Sequence, residues 1–177
     1  MGRLSPKLLR PLHPLHYAIV DNLNWKLFTL PALLPVLAFI AWSFNAHFTT
    51  QIWSIAIFIP SVILAAALRF LVGWLLAALA FWTTRVTAIA SLWEGVSFIF
   101  DGQIAPLALM PGLLGSIVYI LPFGYMLGVP ADILRGGVAP DRALLLVGAQ
   151  TLWLIVAFVG FQAIWRVGLR QYSAVGA

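Results

Sequence analysis

The sequence predicts an all-α membrane protein that crosses the bilayer about four times. Its residues are 63% hydrophobic and only 8% charged, which leaves too few polar side chains to cover a water-soluble globule. Several apolar runs reach at least about 18 residues, the length that crosses a hydrocarbon core of about 30 Å. None of these runs alternates between apolar and polar residues as barrel strands do, so each is predicted to be helical.

Two domains are expected, a cytoplasmic amphipathic lead and a transmembrane domain. The lead covers residues 1-26 and contains three prolines that delay a helix until about Leu15. The transmembrane domain covers residues 27-177, with predicted spans at residues 27-47, 52-82, 86-100 and 143-165. In the first span, Pro31 and Pro35 are expected in the opening turns, where a missing donor costs least.

Residues 103-128 are apolar but too often interrupted by proline and glycine to form one clean span. We predict a re-entrant pair of short helices there, on the outer side, because broken backbone is tolerated at membrane depth only where protein or water satisfies it. Residues 129-142, with the sequence VPADILRGGVAPDR, are predicted to be a polar loop.

Basic side chains predict the orientation, since cytoplasmic loops carry an excess of lysine and arginine. The lead, the turn at residues 82-85 and the tail share most of them: Arg3, Lys7, Arg10, Lys26, Arg85, Arg166 and Arg170. The opposite side carries Arg135 and Arg142. Both termini are therefore expected in the cytoplasm, with residues 45-51 and 101-142 outside.

Three charged residues lie within the predicted spans or at their edge. Measured from the 82-85 turn, Arg69 lies about 20 Å deep, Glu94 about 13 Å and Asp101 about 24 Å. Charges inside a bilayer are costly and tend to face one another or water. We expect Arg69 to pair with Glu94 or Asp101 between adjacent helices. A contact along a transport route and a looser, water-exposed arrangement are the alternatives.

The sequence favours neither an enzyme nor a metal or cofactor site. It contains no cysteine, which excludes thiolate ligands and a cysteine nucleophile. His13 and His16 form an HxxH pair, but Pro14 disfavours the helix that would align them and no third ligand is near. No serine, histidine and acid group converges within the spans. A phosphate-binding GxxxxGK[ST] loop is also missing, so any ATP-driven activity requires a partner.

Three stretches carry a family resemblance: GQIAPLALMPGLL, LPFGYMLGVPADILRGG and the C-terminal WRVGLRQYSAVGA. Together they resemble the permease (membrane) subunits of bacterial type-2 ABC exporters. The segments RPLHPLHYAIVDNL and FWTTR also lie where that family has a cytoplasmic approach and a turn. Such permeases usually have six spanning helices, and this chain begins at the lead into the third. We therefore expect two more hydrophobic runs, each of about 20 residues, to be encoded upstream of Met1.

The resemblance implies a multi-pass permease of the bacterial inner membrane that exports an unknown substrate. Its implied partners are a cytoplasmic ATP-binding subunit, a second permease copy or paralogue, and membrane lipid, but no nucleic acid. The other function class is a non-transporting membrane scaffold or assembly protein, or a non-functional permease fragment. The presence of a neighbouring ATPase gene would favour the permease over the scaffold.

The resemblance also places a candidate coupling segment at residues 11-24, where a family permease receives the motion of its ATPase. This segment begins at Pro11 and carries an apolar stripe at helical spacing, formed by Leu12, Leu15, Ile19 and Leu23. Its polar side chains, Asp21 and Asn24, offer polar contacts. The alternative is an interfacial helix resting on lipid headgroups. The close spacing of Gly124 with Gly128, and of Gly73 with Ala77, predicts helix packing.

Overall fold

The computed structural model describes residues 14–104, 106–110 and 112–175 and is all-helical, with no strand among these residues. Seven α-helices are seen in this part of the chain: α1 Pro14–Ser43, α2 Ile52–Ala78, α3 Val86–Phe100, α4 Gly112–Ile120, α5 Phe123–Met126, α6 Gly128–Arg135 and α7 Pro140–Val175. Short 3₁₀ turns follow α2 at Leu79–Phe81 and precede α4 at Leu107–Leu109.

Three of these segments are long and apolar enough to cross a membrane: Leu15–Ser43, Ile52–Phe81 and Pro140–Arg170. The predicted third span, Val86–Phe100, is apolar but has only 15 residues, which is about 22 Å of helix and less than the hydrocarbon thickness. The composition and these helices confirm the predicted class, an all-α membrane protein.

The described residues fall into two units, divided after His47. The first unit is α1, a single helix of 30 residues. The amphipathic helix expected in the lead and the first span are therefore continuous, and the expected boundary after residue 26 lies inside α1. Because the helix begins at Pro14, Pro31 and Pro35 lie in its interior and not in its opening turns.

In the second unit, α2 and α7 pack against each other over most of their length and run parallel. In the first half of α2, the Ser61 hydroxyl donates a hydrogen bond to Gln150 of α7. Near its end, the rings of Phe81 and Trp165 lie 5.5 Å apart. Trp74 meets the edge of Phe161 between these two points, with 6.1 Å between ring centres. This pair of helices forms the frame on which the shorter helices pack.

The segment predicted to be re-entrant contains a 3₁₀ turn and the short helices α4 and α5, so the chain is broken into short helical pieces as expected. The following segment differs from its prediction. Residues 129-142 were expected to be a polar loop, but helix α6 occupies Gly128–Arg135. Val129 and Ile133 are buried, as are Pro130 and Asp132, so this helix has an inner face that packs on α2. Gly136, at φ +76°, ends it in the left-handed conformation that glycine adopts without strain.

Candidate functional site

Arg69 of α2 lies opposite the acidic face of α3. Its Nη2 donates to Glu94 Oε2 at 3.2 Å, and its Nη1 lies 3.6 Å from Asp101 Oδ2. The short 82-85 turn makes α2 and α3 antiparallel neighbours, which brings residues distant from the turn on each helix side by side. The structure therefore brings together all three residues of the predicted ion pair, with the arginine shared between both acids.

The two acids have different surroundings. Asp101 is fully buried, and both of its oxygens also accept from Gln103, Oδ1 from the backbone N–H at 3.0 Å and Oδ2 from Nε2 at 2.6 Å. The Glu94 side chain is 64% exposed and that of Arg69 is 47% exposed. Asp101 is thus a buried partner held by Gln103, whereas Glu94 is an exposed second partner at the open side of the arginine.

This site places one positive group on α2 against two negative groups on one face of α3. Glu94, Ser97 and Asp101 are three and four residues apart, which places them on the same side of α3. The Ser97 hydroxyl is buried and has no hydrogen-bond partner within the described part of the chain. A polar strip therefore runs along α3, exposed at Glu94 and buried at Ser97 and Asp101, where lipid would otherwise require apolar side chains.

A second polar cluster lies inside the unit and was missed by the sequence reasoning. Gln150 of α7 is fully buried, and its Oε1 accepts from the Ser61 hydroxyl of α2 at 2.9 Å. Its Nε2 donates to the carbonyl of Ser61 at 3.1 Å and to that of Tyr125 at 2.8 Å. The Tyr125 hydroxyl in turn donates to the carbonyl of Tyr119 at 2.6 Å. One side chain thus joins both long helices to α5.

Gln150 has a detectable sequence signal, an amide in a predicted span whose other polar side chains are only Thr151 and Gln162. Polar side chains inside membrane helices tend to bond across helices, so a partner was to be expected. The sequence does not identify that partner, because Ser61 is 89 residues away and the carbonyl of Tyr125 is freed only by the short length of α5.

Two further hydrogen bonds fasten α6 to the beginning of α2. The Ser54 hydroxyl donates to the carbonyl of Ile133 at 2.6 Å, and the Thr49 backbone N–H donates to that of Leu134 at 3.0 Å. Both carbonyls belong to the last turn of α6, and that of Ile133 also accepts from the backbone N–H of Gly136, which ends the helix. The short helical pieces between residues 107 and 135 are called the broken segment. This segment is consequently anchored at two points, by Gln150 at α5 and by Ser54 and Thr49 at α6.

The candidate coupling segment lies partly in α1. Leu15, Ile19 and Leu23 follow one another at intervals of four residues and form one face of the helix. At about 100° per residue, Asp21 and Asn24 lie on the other face. Pro11, Leu12 and His13, from the stripe and the HxxH pair, lie outside the described residues.

The comparison with protein families decides which class of membrane protein this is. A family model described as "ABC-2 family transporter protein" matches residues 1–176. The chain belongs to the ABC-2 transporter family. Comparison with curated proteins and with solved structures gives no significant match.

As an ABC-2 family member, the protein is a multi-pass membrane subunit of an ABC transporter, and this family works with an ATP-binding subunit in general. The match confirms the resemblance inferred from the sequence motifs. Because it covers almost the whole chain, α1, the ion-pair site and the broken segment all belong to the ABC-2 domain.

The glycine spacings of this ABC-2 protein have different roles. Cβ atoms added at Gly124 and Gly128 would lie 2.7 Å from Val118 and 2.5 Å from Leu107. Both glycines are therefore used for close packing within the broken segment. Around Gly73, no atom outside its own helix backbone and chain neighbours lies within 4 Å of an added Cβ, so this glycine is not needed for packing within the described unit.

Proposed function

We propose that the chain is the permease of a bacterial exporter driven by a separate ATP-binding subunit in the cytoplasm. The match of residues 1–176 to the ABC-2 family supports this proposal most directly. The sequence supplies no phosphate-binding loop, so energy enters through a partner. In this proposal the protein lies in the inner membrane with both termini in the cytoplasm, and it works as a dimer with a second copy or a paralogue, surrounded by lipid.

Helix α1 is a suitable element for receiving the motion of the ATPase. Its 30 residues extend about 45 Å, whereas about 20 residues cross the hydrocarbon. A helix that long tilts or projects from the membrane. The first turns, with Leu15, Ile19 and Leu23, form the cytoplasmic projection in our proposal. Because the helix continues without a break into the span, a displacement of its first turns moves the intramembrane part as well.

In the same proposal, the ion pairs of Arg69 with Glu94 and Asp101 act as a staple, a link that keeps α2 and α3 together while the permease changes shape. Asp101 is buried and supplies the fixed partner, while the exposed Glu94 carboxylate leaves the arginine one adjustable contact. Such an arrangement tolerates relative movement of the two helices without leaving the arginine unpaired in lipid.

The experiment co-expresses the chain with the ATP-binding subunit encoded beside its gene and measures how much of that subunit sediments with membranes. We expect recruitment to depend on the permease and to fall at least about fivefold for Ile19→Glu, because a charge replaces the exposed apolar side chain that, in this proposal, is buried against the ATP-binding subunit. Asn24→Glu is the matched control on the other face of α1 and should retain recruitment.

Equal loss for both α1 variants would refute the assignment of the apolar stripe as the docking face. Recruitment that is the same with and without the permease would refute the transport-subunit proposal itself. Permease abundance in the membrane is measured in each sample, so that a variant that is not inserted is recognised.

A further inference from the structure

Two arginines and a tyrosine meet at the end of the long helices that is remote from the 82-85 turn. Arg142 lies in the first turn of α7, and its guanidinium carbon is 5.4 Å from the centre of the Tyr119 ring of α4. Arg135, in the last turn of α6, donates from Nη2 to Asp132 Oδ1 at 2.6 Å. Three separate helices therefore contribute to one small surface.

Asp132 is bonded to Arg135 and is also affected by the charge of Arg142. This carboxylate is buried, and burial raises its pKa, while the positive charges of Arg135 and Arg142 lower that pKa in part. Both guanidinium groups are thus near enough to act on the same carboxylate. They are also the two basic residues that depart from the charge bias of the sequence, and the fold brings them together.

The cluster has one more positive group than its buried acid neutralises. Asp132 is bonded to Arg135, and in the described part of the chain no carboxylate lies within salt-bridge distance of Arg142. Asp141 shares the first turn of α7, yet no hydrogen bond or salt bridge between it and Arg142 is present among the described residues. Arg142 is exposed and lies at the positive end of the helix dipole, where an anion is favoured.

The surface next to Arg142 is apolar and exposed. Leu145 lies three residues after Arg142 on the same side of α7, and it is 73% exposed. At about 1.5 Å per residue, Leu145 lies about 4.5 Å further into the span than Arg142. The cationic group is therefore at the level where the apolar run begins, which is where lipid headgroups lie.

We propose that Arg142, with Arg135 near it, binds the phosphate of an anionic phospholipid whose acyl chain lies along Leu145. A guanidinium group offers two parallel N–H donors to a phosphate, and stacking on Tyr119 holds the Arg142 group in place. A soluble anion would use the arginines but not the adjoining Leu145, so the exposed apolar side chain favours a lipid. The proposal concerns a lipid site and does not depend on the export function.

The test uses the full-length chain purified in a non-ionic detergent and follows its thermal unfolding midpoint while lipid is added. Phosphatidylglycerol should raise the midpoint in a saturable manner, phosphatidylcholine should raise it less, and soluble glycerol phosphate should have no effect. Arg142→Gln should require roughly tenfold more phosphatidylglycerol for the same rise, because one charge-assisted contact is lost. Arg142→Lys should retain part of the response.

The matched control is Arg85→Gln, which removes an exposed arginine from the opposite end of the helices and should leave the response unchanged. If Arg142→Gln does not fold, Asp132→Asn combined with Arg135→Gln removes the second arginine without leaving a buried carboxylate unpaired, and it should also weaken the response. Equal responses of the Arg142 and Arg85 variants would overturn the proposal. Saturation by glycerol phosphate, or no preference for phosphatidylglycerol, would overturn it as well.

Discussion

Replacing Arg69 with leucine is the sharpest test of the staple between α2 and α3. The substitution leaves two acids without their arginine, but in different surroundings. Asp101 is fully buried at 3.6 Å from the guanidinium, whereas Glu94 is 64% exposed at 3.2 Å. Removing one partner of a buried pair costs about 3 to 5 kcal/mol, while an exposed pair contributes about 1 kcal/mol or less.

The structure therefore predicts unequal coupling of Arg69 to the two acids. In double-mutant cycles, Arg69→Leu with Asp101→Asn should show an interaction free energy of about 1 to 3 kcal/mol. The bonds from Gln103 to Asp101 keep this value below the full cost of an isolated buried charge. The cycle with Glu94→Gln should give less than about 1 kcal/mol because the pair is largely exposed.

The free energy of unfolding is measured for each variant by equilibrium unfolding of the purified protein in mixed micelles. Arg85→Leu serves as the control, since Arg85 is exposed in the turn and has no salt bridge among the described residues. Strict additivity with both acids would refute the staple and favour a water-exposed or transport-route role for Arg69. Stronger coupling to Glu94 than to Asp101 would contradict the argument from burial.

Three further predictions follow from particular contacts. Gln150→Leu should lower the free energy of unfolding by about 1 to 3 kcal/mol because the Ser61 hydroxyl and the Tyr125 carbonyl lose a buried partner. The control Thr151→Val affects an exposed hydroxyl bonded within its own helix and should change the free energy of unfolding by less than about 0.5 kcal/mol. Equal losses for the two variants would contradict the role of Gln150. Gly128→Ala should lower the free energy of unfolding by about 1 to 3 kcal/mol because its Cβ would overlap the buried Leu107. Gly73→Ala should instead raise it by up to about 1 kcal/mol by reducing the backbone freedom of the unfolded chain. A stabilising Gly128→Ala would refute the close-packing argument. A reporter fused after Ala177 should be active only in the cytoplasm, because most basic residues flank that side, and a reporter located outside would reverse the proposed orientation.

Part of the candidate site follows directly from the sequence. Arg69 is conspicuous because a charge within an apolar run is expensive, and the shortness of the 82-85 turn limits its partners to the facing helix. The sequence therefore named Glu94 and Asp101 as the two partners. It did not indicate that both acids contact the arginine at once, or that Gln103 fixes Asp101, because these features depend on how α3 ends.

The coupling segment shows a different limit of sequence reasoning. An amphipathic helix was expected in the lead, separate from the first span, yet α1 runs without a break from Pro14 through Pro31 and Pro35 to Ser43. Local rules locate prolines where a missing donor costs least, but they do not exclude an interior proline in a long apolar helix. In membrane helices, neighbouring groups readily satisfy the freed carbonyl.

The sequence by itself determined the class of the protein, because the scarcity of charge and the length of the apolar runs leave helices in a bilayer as the consistent solution. It also determined the family, through motifs distributed along the whole chain. Only the tertiary structure decided how the broken segment is held, since its anchors at Ser54, Ser61 and Gln150 come from helices far away in sequence. It likewise decided that residues 128–135 are helical, because the burial of Val129 and Ile133 against α2 outweighs the polar and glycine-rich character of that stretch.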